Sequence, residues 1–479
     1  MTQKMEHKLP DAACLWPATG KTNCDTLRLA LELSALAYDM DVAKYLDDGW
    51  QDVSFQVDTH LLTGFASRRS CEQAAARARS RMEKKNPISQ YRGFKREKEE
   101  LSTCKAVVMA HEVDGRDCIA IAFTGTTRRM YEWLGNLRVT EEDGFHAGFL
   151  QLTRLFEENE EKILFPALAK KEGREKCSLA DVIQAMRGGS DRYCLFVTGH
   201  SQGAALMQIY IYHLLRSGVP GEYVRGIGFA SPSVSAQRSV QLAADYPVLN
   251  IINADDVIAR VGGQMHIGMC RVLPATAAFR RACYGSRADA PAMGAALDLM
   301  HQVRSTEDAL LLFIALTESF LALPAEESEE VLSALIRLYL PDQLSQHLTG
   351  YARRMVRAIG RRLCKKCEQV AGRVQTERLS HFQAEWNEYF SLFGVREGAA
   401  MVMEALMRPH ALSEPEQKRA YQTLVTEYEA QLVSCIWMRK DDPVWDRQDI
   451  NECKKRQGKT VYNRFRPLST QRRQTHDHQ

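Results

Sequence analysis

The chain lacks any long hydrophobic run. Its longest uninterrupted apolar stretch, Ala309 to Leu316, falls well short of the roughly 20 residues needed to span a bilayer. Met1 to Pro10 is polar and carries no apolar region of the kind a secretory signal requires. Any membrane contact is therefore expected to be peripheral, and the expected location is cytoplasmic. Cysteine has no framework spacing: the 13 cysteines are odd in number and scattered, as expected of free thiols in a reducing compartment. Cys364 and Cys367 form one CxxC without a second pair, which excludes the usual zinc ligand set, and neither metal nor cofactor is expected. A formal charge of +3 over 479 residues is no electrostatic footprint for nucleic acid, and no nucleic-acid partner is expected. Neither an internal repeat nor a phosphate-binding loop is visible, and the oligomeric state is not legible.

What is present is ordinary core material. Apolar residues make up 45% and charged residues 26%, a soluble globular balance. The length exceeds what a single hydrophobic core fills, so a core domain with an appended domain or a large insertion is expected. One stretch organises the rest, Tyr193 to Leu215. Tyr193, Leu195, Phe196 and Val197 form a β-branched and aromatic run that predicts a buried strand, and Ala204, Ala205, Leu206, Ile209 and Leu214 predict the helix after it. Between them lies GHSQG. Gly199 and Gly203 leave room for a sharp strand-to-helix turn that holds Ser201 in a strained conformation with its hydroxyl exposed, a nucleophile elbow.

Upstream, Leu27 to Tyr38 carries apolar residues at helical spacing, and Val53, Phe55 and Val57 alternate as a strand does. The crowded charge of Ser67 to Glu100 reads as a solvated face. Lys105 to His111 and Asp117 to Phe123 are apolar runs joined at Asp114-Gly115, which predicts a hairpin. The second run continues into TGTTRRMYEWLGNL. Gly125 and Thr126 at a strand end can aim a backbone amide at a developing oxyanion, and Met130, Trp133, Leu134 and Leu137 follow at the spacing of a short amphipathic helix. Such a helix can cover a site or simply belong to the core.

With these motifs in order, followed by HAGF at 146–149, FASPSV at 229–234 and NADDVIARV at 253–261, the sequence from about Leu27 to Leu273 resembles the class 3 lipase family. The resemblance implies an α/β-hydrolase fold with a mixed, mostly parallel sheet. It implies that Thr126 and the amide of Gln202 hold the oxyanion and that the helix of Met130, Trp133, Leu134 and Leu137 is a mobile lid. It also makes Asp256 the triad aspartate. This sequence departs from the family pattern at Thr124, Gln202 and Ala259, where the family usually has Arg, Leu and Pro.

The chain order Ser, Asp, His expected of this topology places the acid just beyond the strand Val248 to Ile252, where Asp255 and Asp256 stand. Of the histidines, His200 is locked in the elbow and His301 sits in an Ala-rich and Leu-rich helical stretch. His266 resembles the family's structural histidine. His347 follows Pro-Asp punctuation near the start of a helix with Tyr351 one turn on and resembles the family's final histidine. His347 is the expected base, with His266 the alternative.

Beyond Pro274 the texture becomes helical. The expected division is a hydrolase core over 1–275, a helical insertion or cap over 276–345, a helical region completing the site over 346–438, and a basic tail over 439–479. Tyr351 to Val374 is a basic amphipathic helix suited either to an anionic membrane or to a solvated face. The expected activity is hydrolysis of lipid or other acyl esters by a serine nucleophile through an acyl-enzyme. Two alternatives stay open: an idle hydrolase fold serving as a membrane- or partner-binding module, and another acyl-transfer enzyme on the same fold.

Overall fold

The computed structural model describes residues 12–15, 24–39, 42, 49–53, 55–58, 103–126, 141–235, 246–262, 265–273, 275–303, 306–322, 376–412 and 414–427. The chain divides into two compact units. The first comprises Met1–Ile251, Met265–Arg271 and Leu424–Asp441, and the second comprises Ile252–Gln264, Val272–Thr423 and Asp442–Gln479.

The first unit is built on a twisted sheet. Helix α1 (Cys24–Asp39) precedes two short strands, β1 (Gln51–Asp52) and β2 (Phe55–Asp58), and both pair antiparallel with β3 (Thr103–Val113). β3 and β4 (Arg116–Phe123) form the expected antiparallel hairpin, with Val113 opposite Arg116. Asp114 and Gly115 both have positive φ, 51° and 77°, the pair of left-handed residues that a two-residue hairpin turn requires. A small hairpin of β5 (Glu141–Glu142) and β6 (Phe145–His146) leads into α2 (Ala147–Glu157), α3 (Pro166–Glu172) and α4 (Leu179–Arg187). β7 (Tyr193–His200) then returns to pair parallel with β4.

After α5 (Gln202–Arg216), β8 (Val224–Phe229) pairs parallel with β7, and β9 (Val248–Asn253) pairs parallel with β8. The strand order β1-β3-β4-β7-β8-β9 ends on β10 (Met269–Leu273). A mostly parallel sheet with an antiparallel N-terminal edge, and with a sharp turn between β7 and the helix after it, is the α/β-hydrolase architecture. Every residue of β7, β8 and β9 is buried. A parallel sheet covered on both faces demands this, and it is why these strands read in the sequence as continuous apolar runs.

α5 packs one face of the sheet. Phe123 of β4, Phe156 of α2 and Tyr210 of α5 meet edge to face with ring centroids 4.8 to 5.8 Å apart. All three are fully buried, and each large side chain removed from water contributes about 1.5–3 kcal/mol. Tyr210 brings its hydroxyl into this layer and donates it to Glu160 at 2.7 Å. Burial raises the Glu160 carboxyl from 4.5 to about 7, opposed by the Tyr210 hydrogen bond and aided by the neighbouring Glu157. The folded state thus holds a proton that the unfolded chain releases at lower pH. The stabilisation is fully present below the unfolded value and is lost as pH rises through about 7, a swing on the order of 3 kcal/mol. Glu160→Gln is expected to remove that slope. Thermal unfolding at pH 5 and pH 8 should show wild type losing more stability than the variant, and parallel behaviour of the two would refute the assignment.

The second unit is helical beyond the sheet. It contains α6 (Ala277–Tyr284), α7 (Pro291–His301), α8 (Thr306–Ala322), α9 (Thr376–Phe393), α10 (Val395–Met407) and most of α11 (Pro415–Glu427). Trp386 on α9 is fully buried and donates its indole N–H to the Leu312 carbonyl at 3.3 Å. Tyr389 donates to the Ala292 carbonyl at 3.1 Å, so α9 is tied to α7 and α8 by polar as well as apolar contacts. No helix among the described residues is long and apolar enough to cross a membrane.

Candidate active site

β7 ends on His200, α5 begins on Gln202, and the single residue between them is Ser201 with φ 57° and ψ −125°. A non-glycine residue in that region costs on the order of 1–3 kcal/mol and persists only where its surroundings hold it. Those surroundings are visible. The Ser201 amide donates to the Phe229 carbonyl at the end of β8 at 2.9 Å, and the Ser201 carbonyl accepts from the Ala204 and Ala205 amides at 3.0 and 3.1 Å, starting the helix. The two glycines of GHSQG face each other across the turn: a Cβ on Gly199 would lie 2.6 Å from the Gly203 carbonyl oxygen. A Cβ on Gly203 would in turn lie 2.8 Å from the carbonyl carbon of Phe123. No larger residue fits either position without moving backbone. Ser201 is more enclosed than the motif alone suggests, with 5% of its surface exposed.

The close approach of Gly203 to Phe123 and Thr124 brings the end of β4 against the first turn of α5. This is the segment that carries Gly125 and the half-buried Thr126. The Thr124 hydroxyl donates to the Ala37 carbonyl at 2.7 Å, and the Tyr38 hydroxyl lies 2.7 Å from His200 Nδ1. The C-terminal end of α1 is thus anchored on one side to the β4 segment and on the other to the elbow. Thr126 and Gln202 are placed on adjoining backbone segments, next to the positive end of α5. That is a suitable setting for a developing negative charge.

In the second unit, β9 runs out at Asn253, and the residues after it form a tightly bonded loop. The Asp256 amide donates to the Asn253 carbonyl at 3.0 Å and the Asp255 amide to Asn253 Oδ1 at 3.1 Å. Asp256 is fully buried, and its carboxylate is committed at both oxygens. Oδ1 accepts the Ile258 amide at 2.9 Å, and Oδ2 lies 2.8 Å from His410 Nδ1. A carboxylate can only accept, so Nδ1 carries the proton in this pair and the imidazole presents Nε2 as its basic nitrogen.

The loop holding His410 is clamped as firmly. The Arg408 guanidinium donates to the Cys283 carbonyl at 3.1 Å, the Cys283 thiol lies 3.4 Å from the Arg408 carbonyl, and the Tyr421 hydroxyl donates to the Pro409 carbonyl at 2.8 Å. An oriented Asp–His pair with both partners buried is what a general base needs to keep one tautomer.

His410, which the structure pairs with Asp256, is not among the histidines the sequence singled out. A signal was available, since Pro409-His410 stands just before α11, which carries the aromatic Tyr421. The same kind of punctuation stands around His347, the base expected from the sequence. His347 lies outside the described residues, as do Met130, Trp133, Leu134 and Leu137. His266 stands three residues before β10 with Nε2 3.4 Å from the Ser233 hydroxyl, and His301 closes α7 against Asp255 at 3.0 Å.

The model of the lipase (class 3) family matches residues 120–266. Among solved structures the chain is similar to a lipase from Rhizopus microsporus var. chinensis, with 13% identity over 51% of this chain and 71% of that one at a TM-score of 0.31. It is similar to the triacylglyceride lipase of Rhizomucor miehei, with 17% identity over 36% and 62% of the two chains at a TM-score of 0.27. Lipase II from Rhizopus niveus is similar at 12% identity over 47% and 70% with a TM-score of 0.28. No curated protein matches the chain. The matched segment, residues 120–266, contains Ser201 and Asp256 and stops short of His410.

Proposed function

We propose that this protein hydrolyses carboxylic esters of lipids, triacylglycerols or the acyl esters of phospholipids, through an acyl-enzyme on Ser201. The observation that carries the reading is the strained backbone of Ser201 between β7 and α5. Nothing in packing requires a serine in that conformation, and acyl transfer does. In the proposed cycle the Ser201 hydroxyl attacks the ester carbonyl and His410 Nε2 takes its proton. Asp256 keeps the imidazole in the required tautomer and stabilises it when charged. The amides of Thr126 and Gln202 stabilise the oxyanion. His410 returns the proton to the leaving alcohol, and a water activated by the same nitrogen releases the acid. Lipid esters are favoured as substrates by the class 3 lipase segment and by the apolar residues Met130, Trp133, Leu134 and Leu137, proposed as a lid over the site.

A fluorophosphonate reporter is expected to label wild-type protein on Ser201, with the adduct located by peptide mass spectrometry, and to leave Ser201→Ala unlabelled. A panel of acyl esters then ranks the substrates. Absence of adduct on Ser201 in folded protein would sink the enzymatic reading and leave the fold as a binding module.

A further inference from the structure

Beside the Asp256–His410 pair lies a second buried acid with its own partners, and the proposed chemistry does not use it. Asp255 has no exposed surface. Arg280 on α6 grips it with two parallel bonds, Nε to Oδ2 and Nη2 to Oδ1, both 2.8 Å, and His301 Nε2 donates to Oδ1 at 3.0 Å. The same loop is tied again by Arg260, which donates to the Ala254 carbonyl at 2.6 Å and to the Met300 and Val303 carbonyls at the end of α7 at 3.2 and 3.1 Å. Burial pushes the Asp255 carboxyl up, but the hydrogen bonds from His301 and Arg280 and the guanidinium charge overcome this and hold it below the usual carboxylate range. It therefore carries a full negative charge one residue from Asp256.

An ion pair between a buried carboxylate and a half-buried guanidinium is weak evidence of stability, because well-packed apolar residues commonly do as well in place of a buried pair. Its position suggests another use. Two adjacent buried carboxylates repel, and each makes a neighbouring imidazolium easier to form. The Arg280 charge cancels the Asp255 term, leaving Asp256 to act on His410 alone.

We infer that Asp255, held between Arg280 and His301, is a positioning residue that fixes the Asp256 loop and, together with Arg280, sets how readily the Asp256–His410 pair takes up a proton. The inference rests on His410 being the base. The groups that interact with Asp255 are Arg280 with the neutral Cys283 and Tyr284 on α6 and His301 on α7; Asp298 on α7 acts on Arg280, and Arg408 just beyond α10 acts on Cys283. Burial drives Cys283 and Tyr284 upward, so neither ionises in the working range. Arg280 is thus the principal cation available to balance Asp255.

The test is the acid limb of kcat/KM against pH on a short p-nitrophenyl ester, which reports protonation of the free enzyme's base. Asp255→Asn keeps the shape and leaves Arg280 uncompensated, so the limb should move to lower pH. Arg280→Met leaves Asp255 uncompensated, so the limb should move to higher pH, each by on the order of one pH unit. The double variant Asp255→Asn/Arg280→Met should return close to wild type, and Arg280→Lys should not move the limb. Should Arg280→Met fail to fold, the direction of the Asp255→Asn shift against the unmoved Arg280→Lys decides the matter.

A purely structural pair would lower the unfolding temperature in each variant and leave the limb in place. That result, or shifts in the same direction, overturns the inference. His410→Gln, run alongside, separates the two levels: if it keeps wild-type turnover the underlying reading of the base has failed, and if it is inactive while the limbs stay fixed the Asp255 inference alone has failed.

Discussion

Replacing His410 by glutamine is expected to lower kcat/KM for ester hydrolysis by about ten-thousand-fold or more, with the protein still folded. Glutamine is the informative choice because its amide N–H can still reach Asp256, whose carboxylate lies 2.8 Å from His410 Nδ1 in the wild type. Alanine would leave a fully buried carboxylate without that partner, and the cost of 3–5 kcal/mol expected for an orphaned buried charge would confuse lost chemistry with lost structure. Glutamine cannot take a proton from the nucleophile, so the loss should appear in kcat rather than KM. The comparison set is His347→Ala and His266→Ala, both expected to keep most of the activity. If His347→Ala abolishes turnover and His410→Gln does not, the Asp256–His410 pair is structural and the base lies at His347.

The difference between these histidines shows where the sequence becomes hard to read. Most of the first unit is written locally. Asp114-Gly115 dictates its turn because two positive φ angles are needed in succession. GHSQG dictates the elbow because Gly199 and Gly203 leave no room for a side chain. β7, β8 and β9 announce themselves because a doubly covered parallel strand is apolar throughout. Asp255 and Asp256 follow β9 closely enough for topology to point to their loop, and the family resemblance, not topology, singles out Asp256. His410 has no such anchor, since 154 residues separate it from its partner, and the periodicity of the described helices between them reports a buried stripe and nothing about what their connecting loops approach. An ion pair with a buried carboxylate leaves a similarly faint trace. Arg280 and Asp255 lie 25 residues apart with no periodic relation, and an arginine on an amphipathic helix reads by default as solvated.

The second large loss is expected from Asp256→Asn, and its cause is specific to how this carboxylate is held. Oδ1 accepts the Ile258 amide at 2.9 Å and Oδ2 accepts from His410, so the acid uses an oxygen on each side. Asparagine has one oxygen and one NH2 group. The Ile258 amide is a fixed donor on the loop backbone and must keep an acceptor, because an unsatisfied buried N–H costs about 1–3 kcal/mol. The asparagine oxygen therefore turns toward Ile258 and its NH2 group toward Nδ1. Nδ1 must then accept, the proton moves to Nε2, and the nitrogen that should take the Ser201 proton is already occupied. A drop in kcat of about ten-thousand-fold follows from the wrong tautomer, with an unfolding temperature close to wild type because size and hydrogen-bond count are kept. Nitrogen-15 NMR of the labelled imidazole reads the tautomer directly. A loss smaller than tenfold, or an Nδ1-protonated ring in the variant, would mean that Asp256 does not orient the base.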